Sequence, residues 1–262
     1  MMYRGQMMTY IAGSRALALA ASVAAVCACV SSPALAGTKL YSPLVEEGAL
    51  EIEQRGFVTS DSKSSLDNEQ FYSASIGYGL TDYWFAEIGG EWVRDPGTGK
   101  TRFDATKWEN RLEIIGDGSH FVDFGLLVEY LKGDGGQPDK FEFGPLIEKR
   151  IGNTVTRANL LFEREIGAGR DSGLGVEYGA GIHYEFSDEF YAGIEAFGSL
   201  GPVHDFKSSK DQEHRAGPVL GGAFELDGVP GEIKAEVGYL RGLTGATADD
   251  TVKWMLEYEL EF

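Results

Sequence analysis

The feature that most constrains this chain is the alternation of apolar and polar residues, which continues with a period of two through nearly all of it after residue 47. Such alternation predicts β-strands whose two faces meet different surroundings. The last predicted strand is the clearest example. One of its faces carries Val252, Trp254, Leu256, Tyr258, Leu260 and Phe262, and the other carries Lys253, Glu257, Glu259 and Glu261.

Twelve alternating runs follow one another, separated by turn-forming residues. No stretch after residue 36 keeps a period of 3.6 residues, so no helix is predicted there. The predicted strands cover residues 48–58, 70–80, 83–93, 102–115, 120–131, 139–150, 154–166, 173–186, 189–200, 212–226, 231–243 and 250–262.

Residues 1–36 have the pattern of a cleaved secretory signal peptide. Arg4 and Arg15 make the start basic, and the apolar run that follows is shorter than the ~20 residues of a spanning helix. The small residues of Ala34-Leu35-Ala36 match a cleavage site. We therefore predict one mature domain over residues 37–262.

The composition of the mature domain excludes several kinds of chemistry. Both cysteines, Cys27 and Cys29, lie in the predicted signal, which excludes disulfides and thiolate metal ligands. The signal holds two of the 23 basic residues and none of the 41 acidic ones, which leaves 21 basic residues against 41 acidic ones. Such a balance repels nucleic-acid phosphates and predicts no nucleic-acid partner. Residues 97–101 read Gly-Thr-Gly-Lys-Thr but lack the glycine spacing of a phosphate-binding loop, and the four histidines lack metal-site spacing, so no cofactor or metal is predicted.

The connections between predicted strands alternate in length. Short turns follow the even-numbered strands, and longer polar loops follow most odd-numbered ones. This alternation is typical of an up-and-down antiparallel transmembrane β-barrel with periplasmic turns and external loops. An even number of strands places both ends of the barrel domain on the periplasmic side. The predicted turns are residues 81–82, 116–119, 151–153, 187–188 and 227–230, and the predicted loops are 59–69, 94–101, 132–138, 167–172, 201–211 and 244–249.

The two faces of the strands also favour a barrel in lipid. Aromatic residues cluster near strand ends, as in the interfacial girdles of such barrels, with Tyr83, Trp84 and Phe190 beside short turns. The polar faces are rich in glutamate with interspersed arginine and lysine, which a dry core would not accept and a hydrated lumen would. Inward glycines are expected to leave space in the lumen, and Pro145 and Pro218 predict bulges or weakened pairing in the sixth and tenth strands.

The cleavable signal, the cysteine-free mature chain and the terminal strand Trp254-Met255-Leu256-Glu257-Tyr258-Glu259-Leu260-Glu261-Phe262 together resemble bacterial outer-membrane β-barrel proteins. The resemblance implies a location in the bacterial outer membrane, contact with its lipid, and recognition by the barrel-assembly machinery through this strand. Twelve strands of this length are similar to small oligosaccharide- or nucleoside-specific porins, and to one class of outer-membrane phospholipase. The residues that the resemblance assigns to the assembly signal are Trp254, Leu256, Tyr258, Leu260 and Phe262.

The sequence favours a porin-like channel through which ions or small solutes diffuse passively. Barrels of about eight strands are filled by side chains, and those of roughly 16 to 18 leave an open channel, so twelve strands predict a narrow pore. Its acid-rich lining predicts a preference for cations. The residues predicted to line the pore are Glu91, Lys107, Glu109, Arg111, Glu129, Glu163, Glu177 and Arg215.

Two other functions remain open at the level of sequence. An outer-membrane hydrolase would need a positioned base, for which His183 near Glu185 and Glu177 is the candidate, but no catalytic residue is predicted because no triad-like pattern is present. A structural or surface-interaction barrel with a plugged lumen would carry its function in external loops such as 59–69 and 201–211.

Overall fold

The computed structural model describes residues 37–116, 120–167, 170, 173–225 and 228–261. The predicted signal peptide and Phe262 lie outside the described residues. No helix long and apolar enough to span a bilayer occurs in the part of the chain that the structure describes.

The chain forms a closed barrel in which each strand pairs antiparallel with its neighbours in sequence and the last strand pairs with the first. The prediction of a twelve-stranded up-and-down barrel is confirmed, and every strand boundary falls close to its predicted position. The strands are β1 (Ala49–Ser60), β2 (Gln70–Thr81), β3 (Trp84–Arg94), β4 (Thr101–Ile115), β5 (Asp123–Gly133), β6 (Asp139–Ile151), β7 (Thr154–Ile166), β8 (Leu174–Ser187), β9 (Phe190–Pro202), β10 (Glu213–Glu225), β11 (Glu232–Gly242) and β12 (Asp250–Glu261).

The connections define two ends of the barrel, which we call the turn end and the loop end. The alternation in length is broadly as predicted, but two connections at the turn end, 116–122 and 226–231, are longer than expected. The first is longer because β5 begins three residues later than predicted, and the second because β10 ends one residue earlier and β11 begins one residue later. At the turn end the connections are 82–83, 116–122, 152–153, 188–189 and 226–231, and at the loop end they are 61–69, 95–100, 134–138, 167–173, 203–212 and 243–249.

The seam between β1 and β12 closes the barrel through an unbroken register from Ala49↔Glu261 to Ser60↔Asp250. On the outer face the Trp254 ring lies over Gly56, where an added Cβ would come within 2.6 Å of the ring. The Trp254 Nε1 also donates a hydrogen bond to the Gln54 Oε1 at 3.1 Å. The outer face of the predicted assembly signal therefore forms part of the seam, and its recognition by an assembly machinery stays a prediction.

The two strand prolines cause no shift of register. Each belongs to a glycine–proline pair, Gly144-Pro145 in β6 and Gly217-Pro218 in β10, and the ladder is interrupted at each pair on one side only. A Cβ on either glycine would lie 1.9 or 2.0 Å from a carbonyl oxygen of the adjoining strand, so these glycines allow the backbones to approach closely. The prediction of bulges at the prolines is therefore wrong, and the expectation of weakened pairing there is correct.

The outer surface is apolar, as the alternation predicts. Leu256 is 50% exposed and Ile182 is 57% exposed, whereas the residues next to them in sequence face inward. Exposed aromatic side chains such as Tyr83, Trp84 and Phe190 surround the turn end. Such an apolar surface with aromatic side chains near the strand ends is the arrangement of a barrel that sits in lipid.

Candidate pore and the segment that occupies it

The eight residues predicted to line a pore all project from inward-facing positions, and most of them are buried. Only Glu91 and Glu163 are half-buried. The interior at this level is thus more closely packed than the water-filled lumen that the sequence suggested. Whether these eight side chains line an ion path stays a prediction.

Lys107 lies at the centre of one charged network. Its side chain is fully buried, and its Nζ lies 2.6 Å from the Glu87 Oε1 and 3.0 Å from the Glu109 Oε2. Arg111 extends the network, with its guanidinium 3.0 Å from the Glu51 carboxylate and 4.0 Å above the Phe85 ring. Paired in this way, the buried charges avoid the large cost of an isolated ion in a dry interior.

A second network joins β8, β9, β11 and β12. The Lys253 Nζ lies 2.5 Å from the Glu195 Oε2 and 2.8 Å from the Glu236 Oε1. The remaining oxygens of the two carboxylates are also bonded, because the His183 Nε2 lies 3.0 Å from the Glu195 Oε1 and the Tyr191 hydroxyl donates to the Glu236 Oε2 at 2.6 Å. All four carboxylate oxygens therefore have partners.

This arrangement changes the interpretation of His183. Its carboxylate partner is Glu195, rather than the Glu185 or Glu177 expected from sequence. Glu185 instead pairs with Arg150 at the turn end. Ligand atoms of His183, Glu195 and Glu236 lie within 4.8 Å of one another, a spacing that could hold a metal ion. The ammonium of Lys253 already bridges the two carboxylates, so the geometry favours a hydrogen-bonded structural network over a metal site.

Residues 37–48, which we call the lumen segment, lie inside the barrel. The segment joins β1 at the turn end, where the Gly48 N–H donates to the Gly79 carbonyl at 2.9 Å. Its other end reaches the loop-end half of the wall, where the Gly37 N–H donates to the Glu177 Oε2 at 3.3 Å. The segment therefore extends along much of the lumen.

The lumen segment also bridges opposite walls. The Lys39 Nζ lies 2.6 Å from the Glu53 carboxylate on β1, and two residues later the Tyr41 backbone bonds to Asn159 on β7. β1 and β7 are six strands apart in the closed ring of twelve, so they face each other across the barrel. Near this level a cavity of about 50 Å³ remains beside Lys39 and Lys253, which is room for a few water molecules.

Side chains of the wall bond to the segment along its length. Asn159 makes two bonds to the Tyr41 backbone, accepting from its N–H at 2.8 Å and donating to its carbonyl at 3.0 Å. The Ser42 hydroxyl donates to Glu148 at 2.9 Å, and the Val45 N–H donates to Glu113 at 2.8 Å. Successive residues of the segment thus contact β8, β7, β6 and β4 in turn.

Glycines of the wall make room for the segment. A Cβ on Gly79 would lie 1.8 Å from the Glu46 carbonyl oxygen, and one on Gly125 would lie 2.9 Å from the Pro43 side chain. A Cβ on Gly181 would lie 2.6 Å from the Leu40 side chain. The sequence indicated that these inward glycines leave space, and the structure shows that the lumen segment fills it.

Glutamates stand directly opposite one another across five consecutive strands of the wall. The row consists of Glu87, Glu109, Glu129, Glu142 and Glu163 on β3 to β7. Like charges opposite one another destabilise a sheet, so the row needs cations. Lys107 forms ion pairs with the first two members, and Lys140 bonds Glu163 at 3.1 Å. The buried Oε2 of Glu129 has no hydrogen-bond partner among the described residues.

Sequence reasoning missed the lumen segment because residues 37–47 show neither strand alternation nor a known motif. Three signals could have found it. The predicted mature chain carries an apolar stretch, Leu40 to Val45, before its first strand, and several inward glycines cluster where no turn needs them. The third signal is Asn159, because an amide on an inward face next to Leu161 has few side-chain partners there and suggests a backbone partner.

Replacing Asn159 with leucine should loosen the lumen segment. The change removes both bonds to Tyr41 and leaves a buried N–H and carbonyl unsatisfied, at about 1–3 kcal/mol for each group. We expect residues 37–48 to become about 10- to 100-fold more sensitive to cleavage by added protease in the folded, detergent-solubilised protein. Asn110→Leu is the matched control, since Asn110 lies on the outer face, away from the lumen segment, and accepts a hydrogen bond from the Trp84 indole. Equal protection of Asn159→Leu and the control would contradict this role.

Glu69 lies in the loop before β2, close to Glu213 and Arg215 at the loop end. Burial is the largest influence on its side chain and raises its pKa to about 6, although the charge of Arg215 acts in the opposite direction. Its carboxyl therefore loses its charge as the pH falls through about 6. The loop end of the barrel carries one more negative charge above that pH than below it.

The sequence matches no protein-family model and no curated protein. The fold is similar to that of an outer-membrane channel from Pseudomonas putida F1, with a TM-score of 0.55 and 13% identity over 86% of this chain and 98% of that one. It is also similar to the KdgM porin, solved in complex with disordered oligogalacturonate, with a TM-score of 0.50 and 9% identity over 81% of this chain and 99% of that one. At these identities the likeness is one of fold, and this chain has the fold of outer-membrane β-barrel proteins, as its terminal strand suggested.

Proposed function

We propose that this protein is a passive channel of the bacterial outer membrane, which ions or small solutes cross when the lumen segment leaves the barrel. The observation that carries the proposal is that the lumen holds a segment attached to the wall by a single covalent connection, at Gly48. All its other attachments in the described residues are hydrogen bonds, apolar contacts and one ion pair. Such contacts can be exchanged for contacts with water or with a solute.

A preference for cations follows from the glutamate row. Three of its members are Glu129, Glu142 and Glu163. Among the ion pairs that the structure describes for these three, the lysine is Lys140, which pairs with Glu163. Glu177 adds a fourth carboxylate, since it lies on β8 diagonally next to Glu163. Rings of acidic side chains attract cations into a pore.

Planar-bilayer recording of the refolded protein spanning residues 37–262 tests the proposal. We expect long closed periods interrupted by unitary current steps, with a reversal potential of cation-selective sign in a KCl gradient. A barrel that is demonstrably folded and gives no steps at any applied voltage would exclude the channel. Current steps without ion selectivity would support the channel function and contradict the proposed cation preference.

A pH dependence at the loop end gives a further prediction. Because Glu69 is neutral below about pH 6 and charged above it, cation preference should increase between pH 5 and pH 7. The Glu69→Gln variant should lose this part of the increase while its unitary conductance at pH 5 stays unchanged. Identical pH profiles for the variant and the parent, measured by reversal potential, would show that Glu69 does not face the ion path.

The filled lumen also favours one alternative, a closed barrel whose loops bind a partner at the cell surface. In that case the lumen segment is a permanent core element, and only the loop end is functional. The two functions differ in the recording above, since a closed barrel gives no current. They also differ in the effect of deleting loop 203–212, which would abolish surface binding without changing permeability.

A further inference from the structure

The lumen segment is bound to the wall in the way that an extended peptide is bound by a receptor. Its groove is formed by β4 to β9 and β11, with wall acceptors for its N–H and hydroxyl groups at Glu177, Asn159, Glu148 and Glu113. Extended peptides are commonly held by such backbone bonds, with pockets for alternate side chains giving specificity. The wall is therefore a built site, and one segment of the chain occupies it.

Two apolar pockets accompany the acceptors. Leu40 packs against Phe197 and Leu240, beside the space left by Gly181. The ring of Tyr41 packs on the other side against Leu127, Leu146 and Leu161. Adjacent residues of an extended chain point in opposite directions, as these two side chains do.

The loop-end limit of the groove is strongly acidic. Glu177 accepts from the Gly37 nitrogen, and the glutamate row ends next to it at Glu163. The buried Oε2 of Glu129, which has no hydrogen-bond partner in the part of the chain that the structure describes, belongs to the same row. If the signal is cleaved after Ala36, the Gly37 nitrogen is the α-ammonium group of the mature protein. A positive charge at this position then offsets part of the acidic wall.

We propose that the groove occupied by residues 37–45 is a binding site for extended peptides with a free α-ammonium group, and that the lumen segment is its intramolecular ligand. This inference rests on the proposed channel function, because a peptide reaches the groove through the lumen. The acceptors recognise backbone N–H groups, the two pockets take apolar side chains, and Glu177 takes the terminal ammonium. A polyanion such as an oligomer of acidic sugars lacks these donors and is repelled by the carboxylates.

A variant that lacks residues 37–45 leaves the groove vacant and retains Glu46 to Gly48, which form the turn into β1. The probe is the synthetic nonapeptide Gly-Thr-Lys-Leu-Tyr-Ser-Pro-Leu-Val-amide, added on the loop-end side of channels in a planar bilayer. We expect it to block the current at micromolar concentration. N-terminal acetylation should weaken the block about tenfold, since it removes a charge-assisted bond.

Two matched comparisons separate the specific site from general attraction to an acidic lumen. A control peptide with serine at the positions of Leu40 and Tyr41 keeps all charges and should block at least tenfold more weakly. On the protein side, Glu177→Gln should weaken block by the free peptide and leave block by the acetylated peptide unchanged. Such a dependence on both partners identifies the ammonium–Glu177 contact.

The outcomes distinguish this inference from the channel proposal. A shortened variant that conducts but is blocked equally by all three peptides overturns the peptide site and leaves the channel intact. A shortened variant that is folded and silent overturns the channel. Fluorescence anisotropy of a labelled nonapeptide, with the label at its C-terminus, then tests the site directly. Equal binding to the shortened variant and to the full mature protein would overturn the site.

Discussion

Deleting residues 37–45 should turn a mostly closed barrel into a continuously conducting one. The deleted residues make five hydrogen bonds and one ion pair with the described residues of the wall. A net free energy of about 2.8 kcal/mol in favour of the bound segment would keep roughly 99% of barrels closed. We therefore expect the mean current per inserted barrel to rise by about 100-fold.

The strands should survive this deletion, because every ladder of the barrel lies outside the deleted residues. Far-UV circular dichroism and heat-modifiable migration on gels check the fold before current is measured. The matched control replaces residues 37–45 with a scrambled sequence of the same composition. This control tests whether the order of the residues, and not merely their presence, keeps the barrel closed. An unchanged current from the folded deletion variant would show that other groups close the lumen.

Replacing Lys107 with methionine should produce the largest loss of stability of any single substitution considered. Methionine fills a similar volume but leaves Glu87 and Glu109, which face each other across β3 and β4, without their shared cation. Removing one partner of a buried ion pair typically costs about 3–5 kcal/mol. Urea unfolding of the protein in lipid vesicles measures the expected fall in the free energy of unfolding.

Two further variants show whether the loss comes from unpaired charge. Combining Lys107→Met with Glu87→Gln and Glu109→Gln removes the repulsion and should recover most of the stability. Lys132→Met removes a lysine that bonds Asp139 at 2.8 Å but is 60% exposed, and it should change stability within experimental error. Equal effects of Lys107→Met and Lys132→Met would mean that the interior is hydrated and screens its charges.

The barrel could be predicted from sequence because the alternation within each strand indicates which of its residues face outward and which face inward. Alternation alone predicts strand β7 at residues 154–166, which are its limits in the structure. Alternation is a local property, and the pairing of an up-and-down barrel adds only neighbours in sequence. The effect of the two strand prolines could not be predicted in this way. The glycine before each proline lets the backbone of the adjoining strand come close, and single residues considered one at a time do not indicate this approach.

The site was less predictable because its partners are distant in sequence and belong to no shared pattern. Tyr41 and Asn159 are separated by 118 residues, and nothing in either neighbourhood indicates the other. The inward direction of Lys107 could be inferred from its strand, but its choice of Glu87 and Glu109 depends on the register of two ladders. His183 shows the same limit, since its partner lies on the next strand and not on its own.

The attachment of the lumen segment to β1 has a consequence for the timing of biogenesis. The segment precedes all twelve strands in the chain, yet it binds strands β4 to β9 and β11, which are synthesised after it. The segment can be enclosed in the lumen only after those strands have paired around it and β12 has paired with β1. On the proposed channel function, the barrel conducts until residues 37–45 bind in its lumen. We therefore expect cells to tolerate slow assembly of this barrel better than assembly in which the strands close before the segment has bound.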